Sequence, residues 1–282
     1  RIALLAPSTT MGDTAFNGAD DGTYDQKLVS VGGSSVGENS YQINGLNITN
    51  FRTGVGSSWV PFEFVEEIQV KTGGYEAEFG RSTGGVINLV TKSGTNTLRG
   101  GASLYWEPRA LQSQQPDTST TDDQGQVWVA SHNQDEEREL LEANLSLGGP
   151  IARDRLFAFG FLRWIDSDQL EILSNLAQRS TYGQPDWGLK LDWNLSSRHR
   201  LEGTVLSDAT EVGITNSYFD PATRELGSTI ATGTRSRGGD NAILRYTGLF
   251  SDHFLLSAQV GRNQFDGTDR SSREDECPYA WD

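Results

Sequence analysis

Nine residues, Trp187-Gly188-Leu189-Lys190-Leu191-Asp192-Trp193-Asn194-Leu195, constrain the fold of this chain more than any other segment. Every odd position is a large apolar side chain and every even one is polar or glycine. That is the period of an extended strand with one face in an apolar medium and the other in water. The alternation recurs at residues 102–106, 143–147, 242–250 and 254–260, and less cleanly at 156–165 and 201–207, which predicts seven strands after residue 100. Composition agrees, because 32 Gly, seven Trp, twelve Phe and eight Tyr stand against a single Met. Strand and turn formers outweigh helix formers.

The connections between these strands alternate in length. Residues 107–135, 167–184 and 211–239 are long, whereas 149–153, 196–198 and 251–253 are short. Long loops on one side and tight turns on the other predict antiparallel transmembrane β-barrel strands. Trp106, Trp164 and Trp187 lie beside long connections, and Phe157, Trp193, Phe250 and Phe254 beside short ones, the placement of two interfacial girdles. A soluble sandwich or solenoid also alternates, but need not sort its connections by length. No apolar run reaches the ~18 residues of a membrane helix, a test that strand-built membrane proteins do not have to meet. Arg1-Ile2-Ala3-Leu4-Leu5-Ala6-Pro7 does not read as a secretory leader.

Charge excludes one class. With 23 Lys plus Arg against 38 Asp plus Glu, the net charge of -15 argues against a nucleic-acid binder, which must neutralise phosphates. Residues 117–142 hold eight carboxylates and one Arg and read as a solvated loop, with a divalent-cation site the lesser reading.

The first 96 residues differ in kind, being rich in Gly, Asn, Ser and Thr with short apolar stretches. Residues 65–70 read as an extended run, Gly73-Gly74 and Gly84-Gly85 permit positive φ or close backbone approach, and residues 86–90 read as a buried strand. The segment Glu38-Asn39-Ser40-Tyr41-Gln42-Ile43-Asn44-Gly45-Leu46-Asn47, followed by residues 65–96 with Gly73-Gly74, Phe79-Gly80-Arg81, Gly84-Gly85 and Thr91-Lys92-Ser93-Gly94-Thr95-Asn96, resembles the plug domain of TonB-dependent outer-membrane receptors, in the form of the Oar-like subgroup.

That resemblance implies a mixed α/β plug domain over residues 1–96, followed over 97–282 by about seven strands of an outer-membrane barrel. It implies a plug motif of Asn44, Gly45, Gly73, Gly74, Gly80, Arg81, Gly84 and Gly85. It also implies a ligand contact at the plug apices by Arg52, Trp59 and Phe62, although Trp59 and Phe62 would equally serve to pack the plug on the barrel wall. The implied partners are the TonB energy-coupling complex, outer-membrane lipid and an unidentified extracellular ligand, with no nucleic acid and no cofactor. Plugs of this family commonly carry Arg-Gly-Pro where this chain has Thr72-Gly73-Gly74, so the ion pair of that arginine falls to Lys71 or Arg81 if it is made at all. A compact module of this size has a radius of gyration of about 12 Å, and only large barrels hold a plug. Seven strands cannot enclose it, and the sequence is expected to be a piece of a longer receptor.

Other motifs carry less. Gly33-Ser34-Ser35-Val36-Gly37 matches the nucleophile elbow G-x-S-x-G, but a strand and not a helix is expected after it. His132, His199 and His253 fall in connections, away from that serine. Asn17-Gly18-Ala19-Asp20-Asp21-Gly22 lacks the ligands of a calcium loop at Ala19 and Leu28, and Cys277 is the lone cysteine. The chain is therefore expected to be no enzyme but a receptor that imports a ligand across the outer membrane. The alternative is a plugged barrel used for adhesion or signalling without transport.

Overall fold

The computed structural model describes residues 2–12, 28–51, 54–58, 60–75, 79–80, 82–121 and 123–273. Thr9–Met11 (β1) pairs antiparallel with Val29–Val31 (β2). Ser40–Ile43 (β3), Leu46–Asn47 (β4), Val65–Lys71 (β5) and Val86–Thr91 (β6) form a four-stranded sheet in the order β4-β3-β6-β5, parallel between β3 and β6 and antiparallel elsewhere. The expected helical share of this region is not found: among the described residues it holds only 3₁₀ turns, such as Val36–Glu38 and Phe62–Phe64. The stretches between its strands are short or dense in Gly, Ser and Thr, which disfavour helix.

Among the described residues, the strands that follow form one sheet of thirteen. In chain order these are Arg99–Glu107 (β7), Thr118–Thr121 (β8), Val127–Ser131 (β9), Glu137–Ala152 (β10), Leu156–Leu173 (β11), Leu176–Tyr182 (β12), Pro185–Ser196 (β13), His199–Ser207 (β14), Thr210–Asp220 (β15), Glu225–Arg237 (β16), Asp240–Ser251 (β17), Phe254–Asn263 (β18) and Thr268–Ser271 (β19). The seven strands expected from the alternation are β7, β10, β11, β13, β14, β17 and β18. They are neighbours in that order, all antiparallel. Among the described residues the sheet does not close, because β7 and β18 each have one neighbour.

The long connections are not irregular loops. β11 runs on to Leu173, and β12, β15, β16 and β19 pair side by side as a second tier above β13, β14, β17 and β18. Segments such as Ile214-Thr215-Asn216-Ser217-Tyr218-Phe219 have strand-forming side chains without strict alternation, so the pattern that reveals the lower tier is missing from the upper. Short interruptions at residues 183–184, 208–209, 238–239 and 264–267 separate the tiers at one level, while β10 and β11 cross it unbroken. At this level the Gly239 N–H donates to Asp208 Oδ1 at 3.0 Å, and Gly238 has φ +80.

The faces of the lower tier follow the alternation. On β13, Trp187, Leu189, Leu191 and Trp193 are 38–47% exposed, whereas Asp186, Lys190 and Asp192, on the opposite face, are 2–5% exposed. Trp106, Trp164, Phe250 and Phe254 also stand on the outer face. Phe157 does not, because it sits opposite Asp192 and so shares the inner face. His199, Tyr246 and Phe250 complete an aromatic patch beside the short turns, with His199 and Phe250 ring centroids 5.0 Å apart. In intact cells carrying the full-length protein, protease should cut in the upper tier near Glu136, and tags at Arg153, Ser197 or Asp252 should stay out of reach. The opposite accessibility would invert the orientation. Asp122, the other expected cleavage point, lies outside the described residues.

Candidate functional site

The two sheets meet at a seam built around one turn. Asn44 and Gly45 join β3 to β4 with φ of 48° and 79°, the left-handed pair that a two-residue hairpin of Asn-Gly type requires. Asn44 then works in three directions. Its side-chain N–H donates to Thr91 Oγ1 at 2.8 Å and to Thr204 Oγ1 at 3.2 Å, and its Oδ1 accepts from the Thr91 N–H at 3.0 Å. Its carbonyl accepts from Arg245, whose guanidinium also donates to Gln259 Oε1. At the end of β6, Lys190 Nζ donates to the Thr91 carbonyl at 3.0 Å, and Lys190 is only 5% exposed.

Between these contacts lies a cavity of about 220 Å³ lined by Asn44, Gln69, Asn88, Lys190, Glu202 and Arg245 among others. Further along the seam, Ser57 Oγ donates to Asn263 Oδ1 at 2.9 Å, and Ser58 Oγ accepts from Asn241 at 3.0 Å and from Asn263 at 3.1 Å. An apolar cluster also crosses the seam, joining Ile43, Ile48, Val60 and Phe64 to Phe159, Phe161, Leu206 and Ile243; its largest member, Phe64, is fully buried, with ring centroids 5.8 Å from Phe159 and 4.6 Å from Phe161. It fits because Gly188 leaves room for it: a Cβ there would stand 3.0 Å from the Phe64 ring.

Gly45 is fixed by the same crowding. A Cβ would lie 2.6 Å from the Arg245 guanidinium, and φ +79 already disfavours an L side chain by about 1–2 kcal/mol. Gly45→Ala should therefore leave the large sheet assembled and loosen this turn, seen as faster proteolysis within residues 40–47 of the purified protein. An unchanged digest would show that Arg245 does not hold the turn.

The other expected positions are scattered. Gly74 has φ +65 in an exposed turn after β5, with open space around both it and Gly73. Gly84 and Gly85 do the opposite, having no positive φ but packing so closely on Asn39 and Val31 that a Cβ would come within 2.6 and 2.7 Å. Gly80 is exposed and lines a small hollow with Gly37, Asn47 and Phe51. Phe62 is 67% exposed at the head of the 3₁₀ turn that buries Phe64. Arg52, Trp59 and Arg81 lie outside the described residues, as do Cys277 and residues 17–22.

Among the described residues Lys71 makes no ion pair with the large sheet; its ammonium sits 3.6 Å from the Phe79 ring centroid. The charges across the seam come from the other side, from Lys190 and Arg245. Both occupy inward positions of alternating strands, a signal present in the sequence but common to every polar residue of that face. Ser35 precedes a 3₁₀ turn and its N–H donates to Glu38, and the strand begins at Ser40. In the upper tier the carboxylates of residues 117–142 are answered by arginines: Arg224 reaches Asp117 at 3.2 Å and Asp135 at 2.6 Å, and Arg109 reaches Glu137 at 2.9 Å. Among the described residues no group of three His, Cys, Asp or Glu is placed to hold a metal ion.

A tall antiparallel sheet, apolar outside and polar inside, carrying a small sheet on its inner face through a hydrogen-bonded seam, defines a strand-built outer-membrane protein. No protein-family model matches the chain. Over 164 residues, 56% of this chain and 15% of the relative, it is 38% identical to the TonB-dependent transporter Oar of Myxococcus xanthus. Over 118 residues, 41% of this chain and 13% of the relative, it is 31% identical to the ferric enterobactin receptor PirA of Pseudomonas aeruginosa. The chain is thus similar to TonB-dependent outer-membrane receptors, the resemblance that residues 38–96 carry, and spans only those 13–15% of the relatives' length. Among solved structures, the outer-membrane transporter YddB of Escherichia coli aligns with 87% of this chain and 38% of its own, at 14% identity and a TM-score of 0.47.

Proposed function

We propose that the chain supplies the plug, over residues 1–96, and the adjoining barrel strands, over 97–282, of a receptor that imports a ligand across the outer membrane. A TonB energy-coupling partner in the periplasm draws on the plug to open the path. Arg52, Trp59 and Phe62 meet the ligand from outside, and the chain acts by binding and movement with no bond chemistry. What supports this reading is the seam. Beside the apolar cluster around Phe64, it is held by single hydrogen bonds that involve Asn44, Ser57, Ser58, Lys190, Asn241 and Arg245. Each contributes a net ~0.5–1.5 kcal/mol, somewhat more where charged, so under load they can break in sequence instead of all together.

The test is accessibility of the plug in living cells. In a Cys277→Ser background, Ser58→Cys should react several-fold faster with a membrane-impermeant maleimide when the TonB complex is intact than when it is deleted. Equal rates would favour a plugged receptor that signals or adheres without opening.

A further inference from the structure

The charges around the seam cavity are unevenly answered. Arg200 takes both acids on its side, Asp192 at 2.7 Å and Glu202 at 3.0 Å. Lys190 and Arg245, the two cations that reach the plug, have no carboxylate within ion-pair distance among the described residues. Their plug partners are neutral carbonyls, those of Thr91 and Asn44. A hydrogen bond from a cation to an anionic oxygen is roughly twice as strong as one between neutral groups, so a carbonyl is the weaker partner for both. The two cations also line one cavity of about 220 Å³, together with the amides of Asn44, Gln69 and Asn88, the hydroxyl of Thr204 and the carboxylate of Glu202, which Arg200 already holds. That volume suits a small acidic group and not a whole large ligand.

We propose that this cavity is an anion station between plug and wall, and that an acidic group, carboxylate, sulfate or phosphate, seated in it draws Lys190 and Arg245 off the plug carbonyls. The inference rests on the import reading, to which it adds a ligand chemistry: the ligand carries such a group, and its passage loosens the seam it passes. The plug is then weakest on this side when the ligand is present. No bond is made or broken, and the two cations only exchange one acceptor for another.

Hydrogen–deuterium exchange of the purified full-length receptor tests this in the absence of TonB. Millimolar sulfate or citrate should speed exchange of residues 40–47 and 86–91 by about tenfold, the loss of one charge-assisted bond. Sucrose, and chloride at matched ionic strength, should not. Sulfate ordinarily tightens proteins by its exclusion from their surfaces, so acceleration runs against its general effect. Lys190→Gln combined with Arg245→Gln should abolish the response. Acceleration equal to that with chloride, or surviving in the double variant, overturns the station. If the double variant does not assemble, the comparison of anions in the unaltered receptor decides the matter alone. A flat response refutes the station without touching the maleimide result, whereas an anion response without TonB-dependent labelling refutes import and leaves the station standing.

Discussion

Arginine in place of Leu191 should keep the receptor from assembling. Leu191 lies near the middle of β13, outward and 38% exposed, between Trp187 and Trp193, which stand towards the two ends of the strand. A charge on the lipid side at this depth costs about 2–4 kcal/mol, and its strand neighbours Ala158 and Gly203 are too small to shield it. The folded fraction after dilution from urea into lipid vesicles should fall steeply. Lys190→Ser, one residue away, gives the control. The alternation predicts a mild effect on assembly at that polar face. The bond to Thr91 adds a second consequence, a loosened small sheet, which the pattern does not contain. Equal folding defects at both positions would mean that both faces meet the same medium, and the membrane reading of the sheet would fail.

The second large effect should come from Arg163. Its guanidinium bridges β10 and β13, reaching Glu142 at 3.0 Å and Asp186 at 2.9 Å, with the Arg163 and Asp186 side chains 8% and 3% exposed. Asn144 donates to the other Glu142 oxygen at 2.8 Å, so that acid stays in place whether or not the cation is present. Arg163→Ala leaves two carboxylates facing each other with no counter-charge, a loss of about 3–5 kcal/mol for a broken buried pair. The urea midpoint of the vesicle-inserted protein should drop accordingly. Adding Glu142→Gln and Asp186→Asn should recover most of it, since the neutral set has no charge to leave unpaired. A triple variant as weak as Arg163→Ala would assign the loss to the packing of the arginine stem instead.

Strand positions in the lower tier were legible because lipid on one side and a packed polar interior on the other write a period of two into the residues. The upper tier meets water more evenly, so Thr210–Asp220 and Glu225–Arg237 form strands with no such signature. The seam was half legible. Asn44-Gly45 announces a tight turn by its backbone needs alone, but its partners Thr204 and Arg245 are 160 and 201 residues away, and nothing local marks them. Lys71 and Lys190 illustrate the limit. Both are lysines on strands, and only the docking of one sheet on the other decides that Lys190 grips the small sheet while Lys71 covers a phenyl ring.

The level at which β12 meets β13, β15 meets β14, β16 meets β17 and β19 follows β18 has a bearing on how such a receptor can change over generations. An inserted or deleted residue in a continuous strand turns every later side chain to the opposite face. Here an alteration in the upper tier can be absorbed at residues 183–184, 208–209, 238–239 or 264–267 before it reaches the lipid-facing rows. The upper tier is thereby free to vary in length, while the lower rows keep their register. β10 and β11 run through both tiers without such a break. They are the two strands along which a length change should be least tolerated, and a comparison of many receptors should find their spans the most uniform.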